Sequence, residues 1–274
     1  MSSNKSKRKI FLFASEIAII TGHNPYQKPK KVIDRLISEY FPELLEGVPT
    51  VPLDNREYIE YVSKKNNIDI SKELKSTDNS KNTAELDKNR KVLLEKLETS
   101  LKEKNPKMSK KEMAEVKKAA GSAVNTNFGT KYENTGIEEY SRKTGFPVVE
   151  DNYFYKYKLL ETPDFDLYIG GRVDGLLLDQ ETGDIKRIVE VKNRMRKLFN
   201  KLRDYERVQC HVYMRLLGTK EADLIEIYKR SSVECESDII TVEFSETFYK
   251  NEIEARIYNF INSFIEELKK QGTK

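Results

Sequence analysis

Two short segments of this chain bring together the residue types that hold a hard cation and cut a phosphodiester. The first is Gly171-Arg172-Val173-Asp174-Gly175, and the second is Ile188-Val189-Glu190-Val191-Lys192. Between them, Leu176–Leu178 is apolar, Asp179-Gln180-Glu181-Thr182-Gly183-Asp184 is polar, and Ile185–Val191 alternates with β-branched residues. That order spells a β-hairpin with a glycine able to adopt positive φ in its turn. With the turn centred on Thr182, residues whose numbers sum to 364 face each other, so Asp174 meets Glu190. Opposed side chains in an antiparallel pair stand roughly 4.5–5.5 Å apart at Cβ, close enough for two carboxylates to share one cation. Alternation puts Glu190 and Lys192 on one face, looking at a cleft, and Val189 and Val191 on the other, looking at the core.

Opposed carboxylates repel unless something neutralises them. A hard cation does so through oxygen ligands, and Mg²⁺, with Mn²⁺ as a substitute, is the expected cofactor. Such an ion acidifies a bound water and offsets charge building up on phosphorus. Lys192 can orient or help deprotonate that water. In a chain that is 34% charged an isolated Glu-Val-Lys is an ordinary surface motif. Its hairpin setting and apolar flanks favour a metal site.

The pattern resembles the PD-(D/E)xK nuclease superfamily, and within it the phage lambda exonuclease and YqaJ-type viral recombinase family. Four pieces occur in the family's order: Phe13-Ala14-Ser15-Glu16-Ile17 with Gly22-His23-Asn24-Pro25-Tyr26; Gly129-Thr130-Lys131-Tyr132-Glu133-Asn134; Val173-Asp174-Gly175 with Glu190-Val191-Lys192; and Gln209 within Val208–Met214. No matching motif falls in the stretch 51–120. The resemblance implies that Asp174, Glu190 and the Val191 backbone carbonyl ligate the metal, with Glu133 close by and holding a ligand water or a second ion. It implies that Lys192 positions or activates the attacking water, that Gln209 braces Lys192 or the nucleophile, and that Ser15 meets a DNA phosphate. Val173 replaces the family's proline, at a position that tolerates variation. Arg172 is read as an anion ligand for a terminal 5′-phosphate.

Each supporting residue also has a plainer reading. Ser15 caps a short helix stopped at Gly22, or contacts phosphate; both fit. Glu133 is a solvated helix residue, as most helical glutamates are, or part of the site. Gln209 shares a face with Tyr205, Val212, Tyr213 and Leu216 and needs a hydrogen-bond partner there, structural or catalytic.

Net charge is only +4, which by itself declares no nucleic-acid binder. The run Lys192, Arg194, Arg196, Lys197, Lys201, Arg203 and Arg207, opposed only by Asp204 and Glu206, follows the proposed site directly. It is read as tracking a phosphate backbone through Arg194, Arg196 and Lys197, against the usual fate of charge runs as a solvated face. Lys5, Lys7, Arg8 and Lys9 read as a tail adding non-specific attraction. Two cysteines and two histidines make no disulfide framework and no four-ligand zinc site. Cys210 reads as a small buried residue. No apolar run spans a membrane and no signal peptide is visible, so a soluble intracellular protein is expected; the Lys-, Asn- and Ile-rich composition is compatible with a bacterial, phage or viral source.

Helical spacing predicts helices over 31–41, 54–66, 89–103, 109–120 (opened by a Ser109-x-x-Glu112 capping box) and 248–270. Strands are expected over 148–160, 167–173, 176–178, 185–191, 224–229 and 239–244. The polar stretch 71–89 reads as a loop or marginal insertion. The sum is an α/β fold with a restriction-endonuclease-like core. It has a central mixed sheet flanked by helices, a helical first half, and one nuclease domain over 1–274 with 51–120 as a charged helical insertion. The expected activity is DNA exonuclease on duplex ends, 5′→3′ by family, with restriction-like endonuclease or a silent DNA-end-binding module as alternatives. A single-strand annealing partner and a homo-oligomer, a trimer by family analogy, complete the expectation.

Overall fold

The chain begins with an alternating strand, β1 (Arg8–Phe13), in which Ile10 and Leu12 are buried while Phe11 and Phe13 face the other way. The computed structural model describes residues 7–45, 51–231 and 234–272. Arg8 and Lys9 therefore belong to a strand rather than to a basic tail, and Lys5 lies outside the described residues. Helices α1 (Ala14–Ile20) and α2 (Pro29–Tyr40) follow. Next come α3 (Asn55–Lys65), α4 (Ser71–Asp78), α5 (Thr83–Lys104), α6 (Lys110–Lys131) and α7 (Glu133–Thr144).

The helical half starts its helices as the sequence specifies. Asp54 caps α3 by accepting from the Arg56 amide at 2.7 Å. Ser109 and Glu112 exchange side-chain bonds across the first turn of α6. The stretch 71–89 is not a loop: it forms α4 and the start of α5. Its few apolar residues, Leu74 and Leu86, are buried together with Ile59, Leu93, Leu97, Leu101, Val116 and Phe128. Sparse apolar content hides such helices from periodicity, because the core that retains them is contributed by α3 and α6. The expected helix at 109–120 runs on to Lys131.

The second half supplies β2 (Tyr155–Glu161), β3 (Phe165–Gly171), β4 (Gly175–Leu178), β5 (Ile185–Asn193), α8 (Asp204–Leu217), β6 (Glu221–Lys229) and β7 (Cys235–Glu243). The strand expected from 148 starts only at Tyr155, with Val149 making an isolated bridge to Leu176. Glu246–Phe248 and a wider turn over Tyr249–Glu254 lead into α10 (Ala255–Gly272), α9 being the short Glu246–Phe248 piece. The C-terminal stripe Ile253, Ile257, Phe260, Ile261 and Phe264 is buried as its spacing requires.

The architecture is mixed α/β. The strands form two mixed sheets, ordered β1-β3-β2 and β4-β5-β6-β7, rather than one. β1 runs parallel to β3 and β5 parallel to β6; the remaining pairs are antiparallel. The corner Arg172–Asp174, between β3 and β4, joins the sheets, and Val173 is buried there. The main core collects both sheets with α1, α2, α8 and α10. A third, smaller core packs Ile137 and Tyr140 of α7 on Val189, Val191, Ile225 and Ile227. Among the described residues no helix is long and apolar enough to cross a membrane.

Candidate active site

β4 and β5 pair as Gly175↔Val189, Leu176↔Ile188 and Leu177↔Arg187, the register that a turn centred on Thr182 demands. A bulge then shifts Leu178 onto Ile185. Asp179 ties the turn by accepting from the Glu181 and Thr182 amides at 3.0 Å, and Gly183 takes φ +75°. Asp174 sits one residue before β4 and accepts from the Val191 amide at 2.8 Å through Oδ2. The hairpin therefore holds Asp174 beside the Glu190–Lys192 stretch of β5.

The two faces of β5 separate as alternation requires. Val189 and Val191 are buried against α7. Glu190 and Lys192 face α8, where Lys192 Nζ donates to Glu190 Oε1 at 2.6 Å and to Gln209 Oε1 at 3.1 Å. Gln209 Nε2 reaches the Tyr213 hydroxyl at 3.4 Å. Glu133 opens α7, immediately after the Tyr132 junction with α6. Gly136, one turn on, lies directly against the Val191 side chain, and a Cβ there would overlap the isopropyl group. The contact clamps the helix that carries Glu133 onto the strand that carries Glu190.

The electrostatics are those of an excess of acid. Burial pushes the Glu190 carboxyl well above the usual carboxylate range, and the nearby Asp174 and Glu133 charges push it further. Asp174 is raised by burial, against the opposing pull of Lys192 and the Val191 amide. Glu133 is pushed up to about 7, first by burial and then by Asp174. For Lys192, burial favours the neutral amine, but Glu190 and Asp174 outweigh it and hold the ammonium charged. Three carboxylates thus face one cation. Glu190 is only 3% exposed, and its Oε2 is buried with no hydrogen-bond partner. An unpaired buried carboxylate oxygen costs several kcal/mol unless a charge meets it.

Among the described residues no three His, Cys, Asp or Glu side chains converge closely enough to hold an ion between them. An all-carboxylate cage is therefore not on offer. Two carboxylates, a backbone carbonyl and water suit Mg²⁺, which keeps several of its waters. The orphaned Glu190 oxygen and the acid excess fit such an ion.

The other expected site residues divide. Ser15 is exposed at the second position of α1 and does not cap it; Glu16 does, accepting from the Phe13 amide at 3.1 Å. Arg172 is exposed beside the corner, its guanidinium 5.8 Å from the Phe154 ring centroid. Arg196 and Lys197 are exposed on the segment after β5. Arg194 is not available to a phosphate. It is buried between Glu226 (Nε to Oε1, 2.6 Å) and Glu206 (Nη1 to Oε1, 2.7 Å). Glu226 also accepts from the Phe199 and Asn200 amides at 2.8 Å, so this cluster shapes the loop from β5 to α8. Two further members of the basic run lie on aromatic rings, Arg203 on Phe199 and Arg207 on Phe248, each 4.0 Å from the centroid. Cys210 is buried, and burial together with Glu190 raises its thiol pKa, so it stays protonated.

Residues 71–219 match the YqaJ-like viral recombinase domain. The chain belongs to this family. No curated protein matches it. Among solved structures it is similar to an alkaline exonuclease from Laribacter hongkongensis, at 16% identity over 73% of this chain and 92% of that one, with a TM-score of 0.42. A complex of the same exonuclease with dAMP gives 18% identity, 73% and 91% coverage and a TM-score of 0.40. A phage-related exonuclease from Haemophilus somnus gives 11% identity, 53% and 73% coverage and a TM-score of 0.40.

The YqaJ-like match contains Glu133, Asp174, Glu190, Lys192 and Gln209, and leaves Ser15 outside. It also takes in α4 and α5, which carry none of the quoted motifs, and α6, whose last three residues open the Gly129–Asn134 motif. Sequence reasoning missed Gly136 and Asn193. Asn193 sits at the end of β5 and donates to the Gly129 carbonyl at 2.9 Å, fastening the strand to α6. Asn193 directly follows Lys192 and so offered a signal; the role of Gly136 depends on a neighbour 55 positions away in the chain.

Proposed function

We propose that this YqaJ-like chain is a Mg²⁺-dependent deoxyribonuclease that degrades duplex DNA from its ends, 5′→3′, leaving single strands for recombination or repair. The observation that carries the reading is Glu190 Oε2, buried and unpartnered in a cluster of three carboxylates and one ammonium. Asp174, Glu190 and the Val191 carbonyl would hold the ion, with Glu133 reaching it through water. A bound divalent cation supplies an acidified water and neutralises charge at phosphorus.

The protein's own groups do the positioning. An ammonium has three donors. Lys192 commits two, to Glu190 and Gln209, which leaves one for the nucleophilic water or a non-bridging phosphate oxygen. Through that donor Lys192 would orient the water and offset charge on the phosphate. Gln209 fixes the lysine against α8, and the Asp174–Val191 bond fixes the corner against β5. Arg172, Arg196, Lys197 and Ser15 are the candidates for phosphate contact. We read the chain as one nuclease domain in which 51–120 is an integral helical arm. A single-strand annealing protein and further copies of the chain are its expected partners.

Linear and closed-circular duplex DNA, each with Mg²⁺ or EDTA, test the reading. Degradation of linear DNA alone, stopped by EDTA, is expected. Cleavage of circles would make the enzyme an endonuclease, and binding without cleavage would make it a silent end-binding module.

A further inference from the structure

The main core covers one side of the β1-β3-β2 sheet. Ile10, Leu12, Leu167 and Ile169 are buried on the side of α1, α8 and α10. The opposite side is aromatic. Phe11 and Tyr168, register partners on β1 and β3, stack with ring centroids 5.3 Å apart and planes 25° from parallel. The Phe154 ring lies on Gly170, where a Cβ would stand 2.7 Å from its edge, and meets Phe11 edge-on at 5.8 Å. All three residues are half-buried and so remain partly accessible to solvent.

The charges over these rings are positive. Exposed Lys156 sits 5.7 Å from the Phe11 centroid and 6.0 Å from that of Tyr168. Arg172 stands over Phe154, and two residues later the chain reaches Asp174. Rings interleaved with cations form the surface that takes an unpaired strand, whose bases stack on the rings while its phosphates meet the cations. The interior bases of duplex DNA cannot use the rings, because both of their faces are already stacked. We infer that this outer sheet face is a stacking platform for the unpaired strand at a DNA end, leading to or from the Asp174 corner. The source of that strand rests on the nuclease reading; the capacity of the face to bind one does not.

The test is fluorescence anisotropy of a labelled 20-nucleotide oligonucleotide without self-complementarity, with the full chain in EDTA so that nothing is cleaved. The double variant Phe154→Ala with Tyr168→Ala should bind on the order of ten- to a hundred-fold more weakly, with blunt duplex binding changed less than about two-fold. Lys156→Glu, at an exposed position that the fold does not need, should weaken oligonucleotide binding several-fold with an unchanged melting temperature. Wild-type affinity in Lys156→Glu, or in a folded double variant, overturns the platform. So does a fall in molar mass by light scattering with oligonucleotide binding intact, which would make the face a contact between copies of the chain. If the wild type binds the oligonucleotide through these rings but never cleaves with Mg²⁺, the nuclease reading fails and the platform stands. If it cleaves and the variants bind normally, the reverse holds.

Discussion

Two buried charge clusters lie two residues apart, at Lys192 near the end of β5 and at Arg194 just beyond it, and they are built on opposite plans. At Arg194, two glutamates flank one guanidinium, and all four carboxylate oxygens accept a hydrogen bond: from Arg194, from the Phe199 and Asn200 amides, and from the Arg203 amide. At Lys192, one carboxylate, Glu190, pairs with the ammonium while Asp174 and Glu133 add negative charge nearby, and an oxygen of Glu190 has no partner. In the first cluster every carboxylate oxygen is met within the chain, and the one guanidinium nitrogen without a hydrogen bond, Arg194 Nη2, lies against Glu226 Oε1. In the second, a carboxylate oxygen of Glu190 is left unmet by the chain. Burial of charge is common to both; what separates them is the balance, one cation matched by two fully bonded carboxylates in the first and an excess of acid in the second.

That contrast can be broken most decisively by isosteric neutralisation. Asp174→Asn keeps an acceptor for the Val191 amide but removes a carboxylate whose pKa is raised on folding. Cleavage should fall by at least roughly a thousand-fold, while the metal-free melting temperature at neutral pH holds or rises. A variant that cuts normally, or that unfolds, would make Asp174 a structural group like those around Arg194.

Arg194→Met should do the reverse. It strands Glu206 and Glu226, both fully buried, and loss of one partner of a buried ion pair costs about 3–5 kcal/mol. Urea unfolding should show a loss of that order, with cleavage retained in the fraction that remains folded. Unchanged stability would show that the cluster holds nothing in place.

The smallest expected effect is on pH dependence without metal. Glu133 binds its proton more tightly in the folded chain, at about 7 against an ordinary 4.5. The native state therefore carries more protons than the unfolded one across that window, and its stability falls as pH rises through it. Thermal melts between pH 4.5 and 7 should show a decline that is shallower in Glu133→Gln. Equal slopes would place Glu133 in solvent, away from the acid cluster.

What the sequence disclosed was local. The hairpin register could be counted from Thr182, and strand alternation separated Glu190 and Lys192 from the two valines, because both depend on neighbours within twenty residues. The mixed α/β class followed from the same patterns. What stayed hidden depends on distant partners. Arg194 sits in a basic run and looks like a phosphate contact until Glu226 of β6 and Glu206 of α8 close over it. Helix α4 looks like a loop until α6 covers Leu74. The division of the strands into two sheets is decided at the 172–174 corner, which the linear pattern does not reveal.

Gly136 makes the third acid's position a property of the scaffold. With no side chain between them, α7 and β5 approach until the Val191 isopropyl group alone fills the gap. The spacing between Glu133 and the hairpin acids is thus inherited from an apolar contact on the far side of the strand. The width of the acid cluster is accordingly set by packing and not by the charges that line it.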